Sequence, residues 1–203
     1  MEKLAIFGGE KIAKDDEMKF NWPRITNDTE KVVIEQLYKT ISIYDNSGIF
    51  GEFEKKFADY HNKKYALLSN SGTSAIFSMF EAIDLRNDDE VLCPVYTFHA
   101  TVSPMMYFGA KPIFCDSDNE GNISFDSVKN KYTENTKAII VTHMWGVPIK
   151  DIQKIADFCK EKHIYLLEDC SHAHGAEIYG KKSWYFWRYR GLESARTENC
   201  YWR

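Results

Sequence analysis

No Cys-x-x-C pair occurs in this chain. Its five cysteines, Cys93, Cys115, Cys159, Cys170 and Cys200, are odd in number and scattered, which argues against a zinc ribbon or a dithiol redox motif and leaves buried, reduced thiols as the reading. No apolar run approaches the roughly 20 residues of a membrane span, and no charged start leads into an apolar signal core. A cytoplasmic protein with no membrane partner is expected. Neither charge sign dominates: a formal net charge of −4 and a pI near 5.9 leave no electrostatic footprint for nucleic acid. Internal repeats and low-complexity segments are lacking as well. What is present is a globular composition, 44% hydrophobic and 28% charged over 203 residues, long enough for one core of moderate size.

Hydrophobic periodicity changes near residue 65. Before it, Val33, Leu37 and Ile41, then Phe53, Phe57 and Tyr60, recur at helical spacing. After it, short apolar runs alternate with helical stretches. Strands are expected at 65–68, 90–93, 111–116, 137–143 and 163–169, and helices over 72–83, 100–108 and 149–161. In the last helix Ile149, Ile152, Ile155, Ala156 and Cys159 share one face, with Lys and Asp opposite. Strands separated by helical crossovers imply an α/β fold, a mainly parallel sheet with helices on both faces. Ligands in such sheets sit at the carboxyl ends of the strands.

Two segments at those ends carry chemistry. In Asn70-Ser71-Gly72-Thr73-Ser74-Ala75, between a strand and a helix, Gly72 lets a backbone approach a ligand, Ser71 and Thr73 offer hydroxyls, and free N–H groups of the helix start converge. This can be an anion cradle or a plain helix cap with a turn glycine. The second segment, Glu168-Asp169-Cys170-Ser171-His172-Ala173-His174-Gly175-Ala176, puts two acids and two histidines directly after a core strand. No metal is expected there: His172 and His174 lack a third ligand at a recognisable spacing, and an i, i+2 pair would diverge on a strand.

These segments occur in order with Pro94-Val95-Tyr96-Thr97-Phe98-His99-Ala100-Thr101, Phe108-Gly109-Ala110-Lys111-Pro112, Asp116, and His143-Met144-Trp145-Gly146 with Pro148. The set resembles the DegT/StrS family of sugar aminotransferases, fold-type I enzymes dependent on pyridoxal 5'-phosphate (PLP). Leu4-Ala5-Ile6-Phe7-Gly8-Gly9 and Trp22-Pro23 resemble the branch acting on cyclitol ketones. The resemblance covers roughly residues 4 to 182 and implies the family's large domain, incomplete here. It implies that Gly72 and Thr73 hold the cofactor phosphate, Phe98 stacks on the pyridine ring, Asp169 pairs with the protonated ring nitrogen, and His172 lies near the ring hydroxyl. It also implies amino transfer from glutamate or glutamine to a keto-sugar or cyclitol ketone, and a homodimer with sites at the subunit interface.

The family's cofactor-attaching lysine belongs a short way beyond Gly180, and there the sequence departs. Residues 183–203 hold three of the five Trp, four of the six Arg and none of the 20 Lys. With permitted codons and a shift of one nucleotide, the segment reads VGTFGDIGAWSLQGQKIVTGG, which resembles the family's continuation. A frameshift near Lys182 or Ser183 is therefore expected, with the lysine belonging where Glu198 stands. No catalytic residue is then assigned. The expected division is an N-terminal arm or helical segment at 1–50, a partial PLP-binding large domain at 51–182 and an aberrant tail at 183–203. The favoured reading is an inactive fragment of the enzyme. Its alternatives are a non-catalytic module that binds PLP or a nucleotide-sugar, and an unrelated α/β domain whose aromatic, basic tail binds a partner.

Overall fold

The computed structural model describes residues 3–11, 23–43, 45, 47–182 and 201–202. It divides into two compact units, 1–46 and 47–203. Trp22 and residues 183–200 lie outside the described residues.

In the first unit, helix α1 spans Asn27–Lys39. Thr26 caps it, its hydroxyl accepting the Thr29 N–H at 3.2 Å, while Asp28 and Glu30 in the first turn and Lys39 in the last complement the helix dipole. The helix stops before the expected Ile41 because Thr40 turns to an extended conformation.

The second unit opens with α2, Gly48–Tyr60, whose Glu54 is buried. That burial has a purpose: the carboxylate accepts the Leu68 N–H at 2.7 Å and so ties α2 to strand β1, Leu67–Leu68. β1 also pairs in parallel with Tyr201–Trp202. Helix α3, Gly72–Ala82, follows β1. Strands β2 (Glu90–Pro94), β3 (Lys111–Cys115), β4 (Thr136–Thr142) and β5 (Tyr165–Asp169) make the main sheet. All its pairings are parallel, in the order β3-β2-β4-β5.

Strand alternation builds a core on each side of that sheet. Leu92, Ile139, Val141 and Leu166 face Val128 of helix α4 (Phe125–Lys131) and Ile152, Ile155 and Cys159 of α5 (Ile152–Lys162). Val91, Cys93, Ala138, Ile140 and Leu167 face Ile76, Met79 and Phe80 of α3, with Met105. The sheet's near-continuous Val, Ile and Leu follow from burial on both faces.

Four elements differ from expectation. The segment 100–108 forms two 3-10 turns, His99–Thr101 and Ser103–Phe108, not an α-helix. Pro104 lacks an N–H and disfavours helical backbone at the residue before it. Helix α5 begins at Ile152, because a tight turn precedes it, the Ile152 N–H bonding the Ile149 carbonyl at 3.2 Å with Asp151 as the N-cap. Helix α4, capped by Ser124, and the hairpin Glu177–Ile178 with Lys181–Lys182 are additional. Tyr179 and Gly180, both at positive φ, make that hairpin's tight turn.

The thiols Cys93, Cys115, Cys159 and Cys170 are buried. Burial pushes Cys93 and Cys159 up to about 12 and Cys115 to about 11. At pH 8 the thiolate fraction at Cys93 and Cys159 is then on the order of one in ten thousand. Alkylation of the native chain at pH 8, mapped by mass spectrometry, is expected to leave these two unmodified until denaturant is added. Rapid labelling of either in the native state would contradict their placement.

Candidate functional site

Order reverses in the main sheet between β2 and β4: the chain leaves β2 for β3 on one side and leaves β4 for β5 on the other. The crevice beyond the carboxyl ends of those two strands is the standard ligand position of such a sheet. A hydrogen bond crosses it, because Thr97 Oγ1, after β2, lies 2.9 Å from Thr142 Oγ1 at the end of β4.

Asp169 ends β5 at this edge, buried with 8% exposure. Its Oδ2 accepts the Thr101 hydroxyl at 2.8 Å, and its Oδ1 accepts the Ser171 N–H at 3.1 Å and the Ser171 hydroxyl at 2.7 Å. Every one of these bonds uses the carboxylate as an acceptor. A group so held presents one fixed negative edge to a ligand.

The N-terminus of α3 is capped by Ser71. Ser71 Oγ accepts the Ser74 N–H at 3.1 Å and donates to Ser74 Oγ at 3.0 Å, so its hydroxyl is committed and not offered to a ligand. The cap takes the N–H of the third helical residue, and Ala75 N–H bonds the Ser71 carbonyl. Gly72 and Thr73, the first two helical residues, have N–H groups with no acceptor inside the helix. They are the donors available to an anion. Helix α3 packs on the 99–101 turn that holds Thr101.

Phe98 immediately precedes that turn and is 61% exposed, an aromatic face with room for a partner. His172 and His174 are exposed turn residues, not strand residues, so the alternation expected for them does not apply. His172 Nδ1 accepts the Trp145 N–H at 3.3 Å and its ring stacks on the indole at 5.4 Å. That bond leaves Nε2 as the protonated nitrogen of the neutral ring. Trp145 reaches this position with φ 54°, rare for a bulky residue, and its indole N–H donates to Tyr96 Oη at 2.9 Å. Asp169 and Phe98 are thus joined through the Thr97–Thr101 segment, and His172 follows from the same strand end. Gly72 and Thr73 begin the helix that packs on the 99–101 turn.

Two features were not foreseen from sequence. The first is the hydroxyl chain Thr142–Thr97–Thr101 behind Asp169. The second is a fully buried pair one residue earlier: His143 Nε2 lies 3.0 Å from Glu168 Oε2, and His143 Nδ1 accepts the Ile149 N–H at 3.1 Å. His143, Glu168 and Cys170 place one ligand atom each within 4.8 Å of one another. Both imidazole nitrogens are already bonded, however, so the arrangement is explained as a hydrogen-bonded core pair that holds the 143–149 turn. Asn122 pins the same turn, accepting the Met144 N–H at 3.2 Å and donating to the Val147 carbonyl at 3.1 Å. Glu168→Ala should leave a buried imidazole N–H without its acceptor. A loss of about 2 kcal/mol or more in urea denaturation is expected, against a small effect for an exposed control such as Glu161→Ala. Equal effects would show that the pair does not hold the turn.

No helix among the described residues is long and apolar enough to cross a membrane. The chain is 35% identical over 153 residues to GDP-perosamine synthase of Escherichia coli O157:H7, covering 75% of this chain and 42% of that protein. It is 34% identical over 131 residues to L-glutamine:2-deoxy-scyllo-inosose aminotransferase of Streptomyces kanamyceticus, covering 64% of this chain and 30% of that protein. The X-ray structure of the aminotransferase from Psychrobacter cryohalolentis superimposes with a TM-score of 0.77 at 32% identity, over 80% of this chain and 41% of that one. The chain thus spans less than half the length of each of these relatives. Its match to a family of known proteins runs over residues 26–185, beginning after Leu4–Gly9 and Trp22–Pro23. This match and these likenesses agree: the chain belongs to the DegT/DnrJ/EryC1/StrS aminotransferase family.

Proposed function

We propose that this chain is the PLP-binding part of a sugar or cyclitol aminotransferase, which moves an amino group from glutamate or glutamine to a keto-sugar or cyclitol ketone. The observation that carries this is Asp169, a buried carboxylate at the end of β5 whose three hydrogen bonds all come from donors. That is the partner a protonated pyridine nitrogen requires. The residues at hand fit the cofactor chemically: the Gly72 and Thr73 N–H groups would take the phosphate, Phe98 would cover the ring face, Asp169 would hold the ring nitrogen, and His172 Nε2–H would donate to the ring hydroxyl. PLP, when bound, supplies an electron sink for the substrate carbon. The protein's part is to keep the ring nitrogen charged and the ring oriented.

Proton movement at the substrate carbon needs a lysine amine that residues 183–203 do not provide as written. We take this segment as out of frame from about residue 183, with the lysine at the position of Glu198. The chain in this form then binds the cofactor without turning over. The names of the relatives support a keto-sugar or cyclitol substrate, and a homodimer is the assembly proposed for the complete protein.

Titration of the purified chain with PLP, followed by absorbance and by quenching of protein fluorescence, tests the cofactor reading. Saturable binding is expected, weakened about tenfold or more by Asp169→Ala because an ion-paired hydrogen bond is lost. A folded chain that binds no PLP would remove this proposal.

A further inference from the structure

We propose that Thr142, Thr97 and Thr101 form a one-way hydroxyl relay that positions the Asp169 carboxylate, making Thr101 its principal positioning residue. This rests on the reading of Asp169 as the partner of the cofactor ring nitrogen. The order of the protons follows from counting. A threonine hydroxyl carries one proton. Thr101 spends its proton on Asp169 Oδ2, at 2.8 Å. The 2.9 Å contact between Thr97 and Thr101 must therefore have Thr97 as donor. Thr97 then has no proton left for Thr142, so in their 2.9 Å contact Thr142 donates. All three dipoles point the same way, toward the carboxylate.

The relay draws on three separate places: the end of β4, the loop after β2, and the 99–101 turn. It spans the point where strand order reverses. Thr101 is fully buried and Thr142 nearly so. Burying hydroxyls in a sheet otherwise packed with Val, Ile and Leu is unfavourable unless each is bonded, and here each is. Aligned hydrogen bonds in a low-dielectric interior polarise one another, so the effect reaching Asp169 exceeds that of a lone hydroxyl. Ser171 fixes Oδ1 from the other side through its own N–H and hydroxyl. The carboxylate is thereby held at both oxygens, and none of these three bonds comes from a cation.

The relay makes a graded forecast that general packing does not. Thr101→Val removes the donor to Asp169 and is expected to weaken PLP binding about tenfold, the scale of one hydrogen bond to a charged group. Thr101→Ser keeps the hydroxyl and should bind within about twofold of the parent chain. Thr97→Val leaves Thr101 free to donate but removes the polarising partner, for a loss of about threefold. Thr142→Val, at the far end, should cost less than about twofold.

The experiment uses the full 203-residue chain and has two readouts. Without cofactor, NMR is used to follow exchange of the Thr101 hydroxyl proton with water. Slow exchange in the parent chain, accelerated in Asp169→Ala, supports the relay. Exchange as fast as that of the exposed Thr40 hydroxyl overturns it. With PLP added, the four affinities are compared. Binding that is weakest in Thr101→Val, stronger in Thr97→Val and strongest in Thr142→Val, with rescue by Thr101→Ser, supports the relay. Equal losses in all three valine variants, or no loss in any, overturn it. A protected Thr101 proton in a chain that binds no PLP supports the relay and refutes the cofactor reading instead. If Thr101→Val does not fold, Thr101→Ser, Thr97→Val and the proton exchange decide the matter.

Discussion

Transamination is expected to be unmeasurable in the chain as written, and to rise after a one-nucleotide frame repair at codon 183 to a turnover on the order of 1 per second or faster, an ordinary value for an enzyme. Three observations meet at that place. The family match ends at residue 185. Lysine, 20 residues in the chain, is absent from 183–203. With permitted codons, a frame shifted by one nucleotide reads a lysine where Glu198 stands. The chemistry needs a primary amine that bonds the cofactor aldehyde and later carries a proton, and a carboxylate does neither. Lys181 and Lys182 lie in the hairpin strand at least 16 positions before residue 198 (198 − 182), so neither replaces that amine without rebuilding the fold. The repaired, full-length protein is to be assayed with glutamate or glutamine and a keto-sugar acceptor. Activity in the unrepaired chain equal to that of the repaired one would refute the frame argument.

In the repaired protein, Asp169→Asn is expected to lower turnover about a thousandfold, the scale seen when a preorganised electrostatic partner is lost. The direction can be argued from the neighbours. Ser171 presents an N–H to Oδ1, so an asparagine keeps its carbonyl oxygen there and turns its NH2 toward Thr101. The edge that accepted now donates, the Thr101 bond must reverse, and the threonine chain with it. A neutral amide also no longer favours a charged ring nitrogen. Thr101→Val keeps the carboxylate and should cost much less than Asp169→Asn. Near-unchanged turnover in the Asn variant would end the assignment of Asp169.

How far this was legible in the sequence depends on whether the signal was local. The start of α3 was, because Ser71, Gly72 and Thr73 sit in consecutive positions between an apolar run and a helical one. The end of β5 was, since acids after YLL stand out. The two-faced sheet was legible from Val, Ile and Leu runs separated by crossovers. The relay was not: two of its three bonds join residues 45 and 68 positions apart, and no periodicity reports such distances. His143 and Glu168, 25 apart, were hidden in the same way, and only the buried geometry shows that both ring nitrogens are used. Helix α4, Phe125–Lys131, has only two turns, too few for a hydrophobic stripe to repeat. The segment 100–108 looked helical because its apolar spacing outweighed the single Pro104 that tightens it. Trp145 in a left-handed conformation had no local marker, as the adjacent Gly146 is the residue one would place there.

Reduction with borohydride in the presence of PLP, followed by peptide mapping, tests the central claim most directly, applied side by side to the unrepaired chain and the frame-repaired protein. The account predicts one modified lysine in the repaired protein, at the position of Glu198, and no unique modified lysine in the unrepaired chain. A single lysine of the unrepaired chain carrying the reduced cofactor in stoichiometric amount, or a repaired protein unmodified at position 198, would contradict it.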